Sequence, residues 1–143
     1  MRIQRTLLTL VGATLLATGC SGDSNAPGSS YLGRYALVSL DGQPLPLTII
    51  NQPTLVVAIH DDTLTLNSNN SFTNATNVLS VVDGVATPIQ HLSCTGTYTR
   101  SGNSFTLTTV ESDACSGDTL TGTLDGNTLT LNEDTGEILV FRR

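Results

Sequence analysis

Residues Cys94 to Leu131, CTGTYTRSGNSFTLTTVESDACSGDTLTGTLDGNTLTL, contain one unit written twice: Gly102-Asn103-Ser104-Phe105-Thr106-Leu107 and Gly126-Asn127-Thr128-Leu129-Thr130-Leu131. In each copy a Gly-Asn turn leads into alternating apolar and hydroxyl residues, the period of two that gives a strand one buried and one wet face. The copies lie 24 residues apart, about the length of one strand, turn, strand, turn cycle. That spacing predicts an antiparallel meander. A weaker echo, Thr63-Leu64-Thr65-Leu66 followed by Asn67-Ser68-Asn69-Asn70-Ser71-Phe72, places the same chemistry earlier in the chain.

The reading extends outward in both directions. Tyr35 to Leu40 is a first strand ended by the turn signal Asp41-Gly42. Pro44 and Pro46 prevent regular ladder pairing, so Gln43 to Leu47 is an irregular crossing, and Thr48-Ile49-Ile50 is either a short edge strand or a plug over one barrel end. Thr54 to His60 is β-branched and nearly continuous, Asp61-Asp62 breaks or bulges it, and Thr63 to Leu66 resumes. Ser71 to Val82, the Asp83-Gly84 turn, and Val85 to Arg100 bent at Pro88 form the next hairpin. After Ser104 to Glu111 comes a looser loop, Ser112 to Gly117, then the hairpin Asp118 to Leu124 with Asn127 to Asn132, and a last strand from Glu137 to Arg142. No segment after residue 30 carries a helical period. About eight strands in meander order favour closure into an up-and-down barrel, because closure removes exposed edges; an open β-sandwich is the alternative. Leu37, Leu64, Leu66, Phe72, Tyr98, Phe105, Leu107, Leu120, Leu124, Leu129, Leu131 and Val140 form the expected inward-facing set.

Gly33-Arg34-Tyr35 opening the first strand, an Asp-Gly turn soon after it, and an Arg pair closing the last strand resemble the lipocalin-like domains of bacterial lipoproteins. The resemblance implies a barrel whose base is closed by an aromatic ring under an Arg, at Tyr35 and Arg142 or Arg143. The usual Gly-x-Trp stands here as Gly-x-Tyr, since the chain has no Trp.

The first 30 residues read as an address rather than a fold. Arg2 and Arg5 form a basic region and Leu7 to Ala17 an apolar one too short to span a bilayer. Leu16-Ala17-Thr18-Gly19-Cys20 resembles the lipobox of bacterial lipoproteins. By that resemblance residues 1–19 are a signal peptide, Cys20 carries lipid, residues 20–30 are a flexible tether, and residues 31–143 are a lipocalin-like β-barrel domain. Several acyl chains on one Cys give a stable anchor where one chain would not. Ser21 stands where an Asp would resemble an inner-membrane retention signal, so the expected address is the cell envelope, at the outer membrane.

Removing Arg2 and Arg5 leaves four Arg and no Lys against twelve acids, a net charge of −8. That surface argues against nucleic acid and anionic headgroups as partners, since either asks for a basic face. With Cys20 assigned to lipid, Cys94 and Cys115 remain, and an isolated pair in an oxidising compartment is expected to be bridged. A metal pair or redox dithiol would ask for CxxC-like spacing or a nearby His.

The densest ionisable cluster is His60-Asp61-Asp62, which would become a metal or acid/base site only if a third ligand such as His91 converged on it. Adjacent strand residues point to opposite faces, so His60 and Asp61 share a face only through a bulge. Glu111, Asp113 and Asp118 surround the Cys115 loop without the spacing of an EF-hand. Asn69-Asn70-Ser71 and Asn74-Ala75-Thr76 match glycosylation sequons. No Ser sits in a nucleophile elbow, and no phosphate-cradling loop precedes a helix. The sequence thus points away from an enzyme and from any cofactor. It points to an envelope protein anchored to the membrane by lipid, with at most a small apolar ligand in a barrel. The alternative is a protein-interaction module, such as a hydrolase inhibitor or a chaperone-like factor, using the Ser112 to Gly117 loop.

Overall fold

The computed structural model describes residues 31–112 and 115–143; the expected signal peptide, Cys20 and tether lie outside them. In chain order the strands are β1 (Gly33–Leu40), β2 (Gln43–Pro44), β3 (Leu47–Gln52), β4 (Leu55–Leu66), β5 (Ser71–Val82), β6 (Val85–Ala86), β7 (Gln90–Ser101), β8 (Ser104–Thr109), β9 (Thr119–Asp125), β10 (Thr128–Asn132) and β11 (Ile138–Arg142). Eight of them, β1, β4, β5, β7, β8, β9, β10 and β11, pair antiparallel in sequence order, and β1 bonds both β11 and β4. The ring is therefore closed: this is a barrel, not an open sandwich. The three short strands lie outside it, β2 on β1, β3 on β4 and β6 on β5. Thr48 to Ile50 is thus an edge strand rather than a plug.

Local chemistry sets the hairpins. Asp41-Gly42 and Asp83-Gly84 both take positive φ at both residues, 49° and 75° in one and 50° and 79° in the other. Such turns match the right-handed twist of the strands they join. Pro88 falls in the break between β6 and β7, where no ladder bond is required of it. All ring strands lie between Gly33 and Arg142, so residues 31–143 contain a complete core and meet the condition for folding alone.

The buried cluster is Tyr35, Leu37, Leu64, Leu66, Phe72, Tyr98, Phe105, Leu107, Leu124, Leu129, Leu131 and Phe141, with Leu120 packed partly buried against it. Ten of the twelve residues expected inward are there, and Val140 is a correction. In β11 it is Leu139 and Phe141 that alternate inward, with Val140 only half-buried. Ile138-Leu139-Val140-Phe141 is apolar at every position, so the period of two had no phase to show. Pairing of Leu129 with Phe141 and of Leu131 with Leu139 sets it instead.

Gly96 marks a close approach between strands. A Cβ there would stand 2.1 Å from the Thr108 carbonyl oxygen and 2.5 Å from the Phe72 ring. Since backbone and a packed aromatic cannot both yield, Gly96→Ala is expected to cost about 2–3 kcal/mol, the upper part of the range for overpacked cores. The measurement is a fall in urea midpoint with an unchanged slope.

Candidate functional site

The barrel is filled at one end and hollow at the other. At the filled end Tyr98 stands 6.0 Å from Phe105 and 6.2 Å from Tyr31, centroid to centroid, and Arg100 lies 4.3 Å from the Tyr31 ring centroid. The two buried phenols find backbone acceptors: Tyr35 donates to the Tyr31 carbonyl and Tyr98 to that of Asn67, each at 2.6 Å. Burial raises Tyr35 above its ordinary value and pushes Tyr98 up to about 12. Arg143, not Arg142, covers the Tyr35 ring, at 5.5 Å, and its guanidinium donates to the Leu32 carbonyl and to Asn127 Oδ1, both at 3.1 Å. Strand alternation explains the choice: with Phe141 inward Arg142 points outward, whereas Arg143 lies past the strand end and can fold back over the base.

Above this plug lies a cavity of about 430 Å³. Its floor is Leu37, Leu64, Phe72, Leu107, Leu131 and Phe141, and its upper wall includes Leu40, Ile49, Ile59, Leu120 and Leu139. Cys94 and Cys115 line one side. They are joined by a disulfide, with Cα atoms 5.8 Å apart and a sequence separation of 21. The bond holds the β8–β9 connection against β7 beside the cavity.

Four carboxyls also line the cavity, Asp62, Asp118, Glu133 and Glu137, with no Lys, Arg or His among the lining residues. Asp62 is the innermost, 8% exposed. It faces inward in phase with Leu64 and Leu66, and β4 bulges just before it, between Ile59 and Asp61. Asn74 Nδ2 and Thr76 Oγ1, both on β5, donate to its two oxygens at 2.6 Å. Asn74 is thereby held half-buried inside the barrel, a poor position for a glycan acceptor. Burial raises the Asp62 carboxyl above its ordinary value of 3.8 against the pull of those two donors. At the mouth, Glu133 is raised by desolvation and by its hydrogen bond with Glu137. Sequence reasoning expected a break or bulge at Asp61-Asp62 and placed Asp62 in a polar strand end; the bulge falls just before it, between Ile59 and Asp61, and Asp62 stays in phase with Leu64 and Leu66, which carries it into the cavity.

The same bulge puts His60 and Asp61 together on the outer face, Nδ1 to Oδ2 at 2.9 Å. Asn77 donates to Asp61 at 2.8 Å and meets His91 Nδ1 at 2.5 Å, so His91 joins the row through an amide rather than by direct convergence. All three ionisable groups of this row are exposed, and among the described residues no group of three or more His, Cys, Asp or Glu is placed to hold a metal ion. Of the loop acids, Asp118 reaches the cavity, Glu111 stays exposed, and Asp113 lies outside the described residues. No protein-family model matches this chain, and no curated protein is similar enough to match it.

Two outcomes follow from this geometry. Replacing both cysteines, Cys94→Ala with Cys115→Ala, should lower unfolding free energy by about 3 kcal/mol, the loop-closure value for a ring of this size, read from urea unfolding. The raised Asp62 contributes stability that is complete below 3.8 and lost as pH rises through its folded value. Asp61, lowered by hydrogen bonds from His60 and Asn77, acts oppositely: its contribution is present above 3.8 and lost as pH falls through its folded value. Asp62→Asn should therefore flatten the stability profile above pH 3.8, leaving the Glu133 contribution, while the acid limb below is unchanged.

Proposed function

We propose that this protein is a non-enzymatic, lipocalin-like carrier of the bacterial envelope, anchored by lipid at Cys20, whose barrel takes one small apolar ligand. The observation that carries the reading is the cavity of about 430 Å³ over an apolar floor. Its size lies at the lower end of small-molecule pockets, and its composition, apolar walls with a few convergent polar groups, is the common one for such sites. An eight-stranded barrel is just wide enough to be filled by side chains or to hold one small ligand; here one half is filled and the other is open.

Binding follows from the lining. Apolar surface removed from water supplies the affinity, at roughly 25 cal/mol per Å² before the costs of association are deducted. Asp62, with two of its acceptor sites taken by Asn74 and Thr76, keeps capacity for a hydrogen-bond donor at the polar end of the ligand. Four carboxyls without a cation among the lining residues disfavour an anionic molecule such as a fatty acid. Envelope placement is supported by the lipobox-like Leu16 to Cys20 and by a disulfide of the kind oxidising compartments preserve.

The test is native mass spectrometry of residues 31–143 purified from the envelope of the host, compared with the denatured spectrum. A small molecule that co-purifies and is lost on denaturation is expected, together with a protein mass two protons light for the disulfide. A Leu120→Trp variant, filling the wall, should carry less of it with the fold intact. A bare mass from the native protein would overturn the carrier reading and favour the interaction module.

A further inference from the structure

The net charge conceals how the topology sorts it. Alternate hairpins put Tyr31, Asn67–Asn70, Ser101–Asn103 and Asp125–Asn127 at the filled end, and the remaining connections at the hollow end. All four Arg of residues 31–143 fall at the filled end: Arg34 near the start of β1, Arg100 near the end of β7, Arg142 at the end of β11, and Arg143 just beyond it. Asp125 is the single described acid there, whereas Asp41, Asp83, Glu111, Asp118, Glu133, Asp134 and Glu137 stand at the other end. The filled end carries a net +3 and the described part of the hollow end −7. Among the described residues none of the four Arg is ion-paired; the recorded pair is His60 with Asp61. Arg34 and Arg142 are exposed, and Arg34 donates only to Thr63 Oγ1, at 3.2 Å. Arg100 borders a recess shared with Tyr31, Asn70 and Thr99, and its buried Nε has no hydrogen-bond partner among the described residues.

We propose that this arginine end is a docking face for anionic phospholipid headgroups, so that the barrel stands on the bilayer with its cavity mouth turned away. The inference rests on the lipid-anchor reading. Charge complementarity is one argument and chain geometry the other. Cys20 precedes Tyr31 by 11 residues, which span at most about 40 Å even when extended, and Tyr31 enters the barrel at the arginine end. A lipid on Cys20 therefore holds that end near the membrane. There the anionic leaflet attracts the arginines and repels the acidic end over a screening length of about 8 Å. Because a tether makes the encounter intramolecular, a face too weak to bind alone is strong enough to orient. The overall acidity that argued against anionic headgroups averages two ends of opposite sign.

The acylated full chain, reconstituted into vesicles of phosphatidylcholine alone or with added phosphatidylglycerol, tests this by amide hydrogen exchange. With phosphatidylglycerol, exchange at Asn67–Asn70, Ser101–Asn103 and Asp125–Asn127 should slow on the order of tenfold, what one to two net charges contribute at a leaflet surface. Asp83–Val85 and Glu133–Glu137 should not change. The slowing should vanish at about 1 M salt, where screening falls to about 3 Å, and in Arg34→Gln with Arg142→Gln. Both side chains point outward, so this variant should fold normally, and Arg→Lys at the two positions should restore the effect. Equal exchange on both vesicle types, or protection of the hollow end through its exposed Val82, Val85 and Ile89, would overturn the proposal while leaving the anchor reading intact. A chain that fails to float with neutral vesicles fails the anchor reading, and the proposal with it.

Discussion

The structure depends on how β1 is shared. Its first half, Gly33 to Ala36, closes the ring against Thr63 to Leu66 of β4 through four residue pairs. Beyond that the two strands part: β1 is taken up by β2 at Ser39 and Leu40, and β4 by β3 from Leu55 to Ile59. Closure is thus confined to one end. Where the ring is tight, facing side chains meet across a narrow interior and exclude water; where it splays, they cannot meet and a cavity results. The division of the barrel into a plug and a pocket follows from the length of one ladder.

The plug compensates for what the sequence lacks. In place of a Trp at the base, Tyr35 is completely buried, its hydroxyl bonded to the Tyr31 carbonyl and its ring under Arg143. Tyr31, Tyr98 and Phe105 then fill the remaining width with edge-to-face and tilted contacts, and Arg100 lies over two of them. Aromatic pairs in these arrangements gain somewhat beyond their buried area. An end built this way holds the ring shut although closure rests on so few pairs.

What could be read in the chain was whatever is local. Asp41-Gly42, Asp83-Gly84 and the two Gly-Asn repeats marked their hairpins, because a positive φ is a property of the residues in the turn. Thr-Leu alternation in β8 and β10 showed its buried face for the same reason. The Cys94–Cys115 bridge was legible by elimination, since Cys20 was expected to carry lipid. What stayed hidden was set between distant segments. The phase of β11 came from β10, the choice of Arg143 over Arg142 from that phase, and the separation of arginines from acids from the order in which hairpins alternate around the ring. The apolar floor was foreseen except for Phe141, where Val140 was expected. That it would lie under empty space was not, because the inward set is the same for a filled barrel and a splayed one.

One inserted residue decides what chemistry the cavity contains. Below the bulge, Asp62, Leu64 and Leu66 face inward. Continued without interruption, that alternation would carry His60 and Ala58 into the cavity. The shift between Ile59 and Asp61 instead turns His60 out to Asp61 and brings Ile59 to the cavity wall. An imidazole beside a buried carboxyl would have been the elements of an acid/base pair; the bulge dismantles that pair and leaves Asp62 held by two neutral donors. It does so at the level where the interior opens, and there a carboxyl keeps access to the mouth. One turn lower, among Leu66, Tyr35 and Tyr98, the same group would be sealed among apolar side chains, where an unpaired charge is far more costly. The bulge therefore sets the cavity's chemistry: a carboxyl held by two neutral donors in place of a carboxyl beside an imidazole.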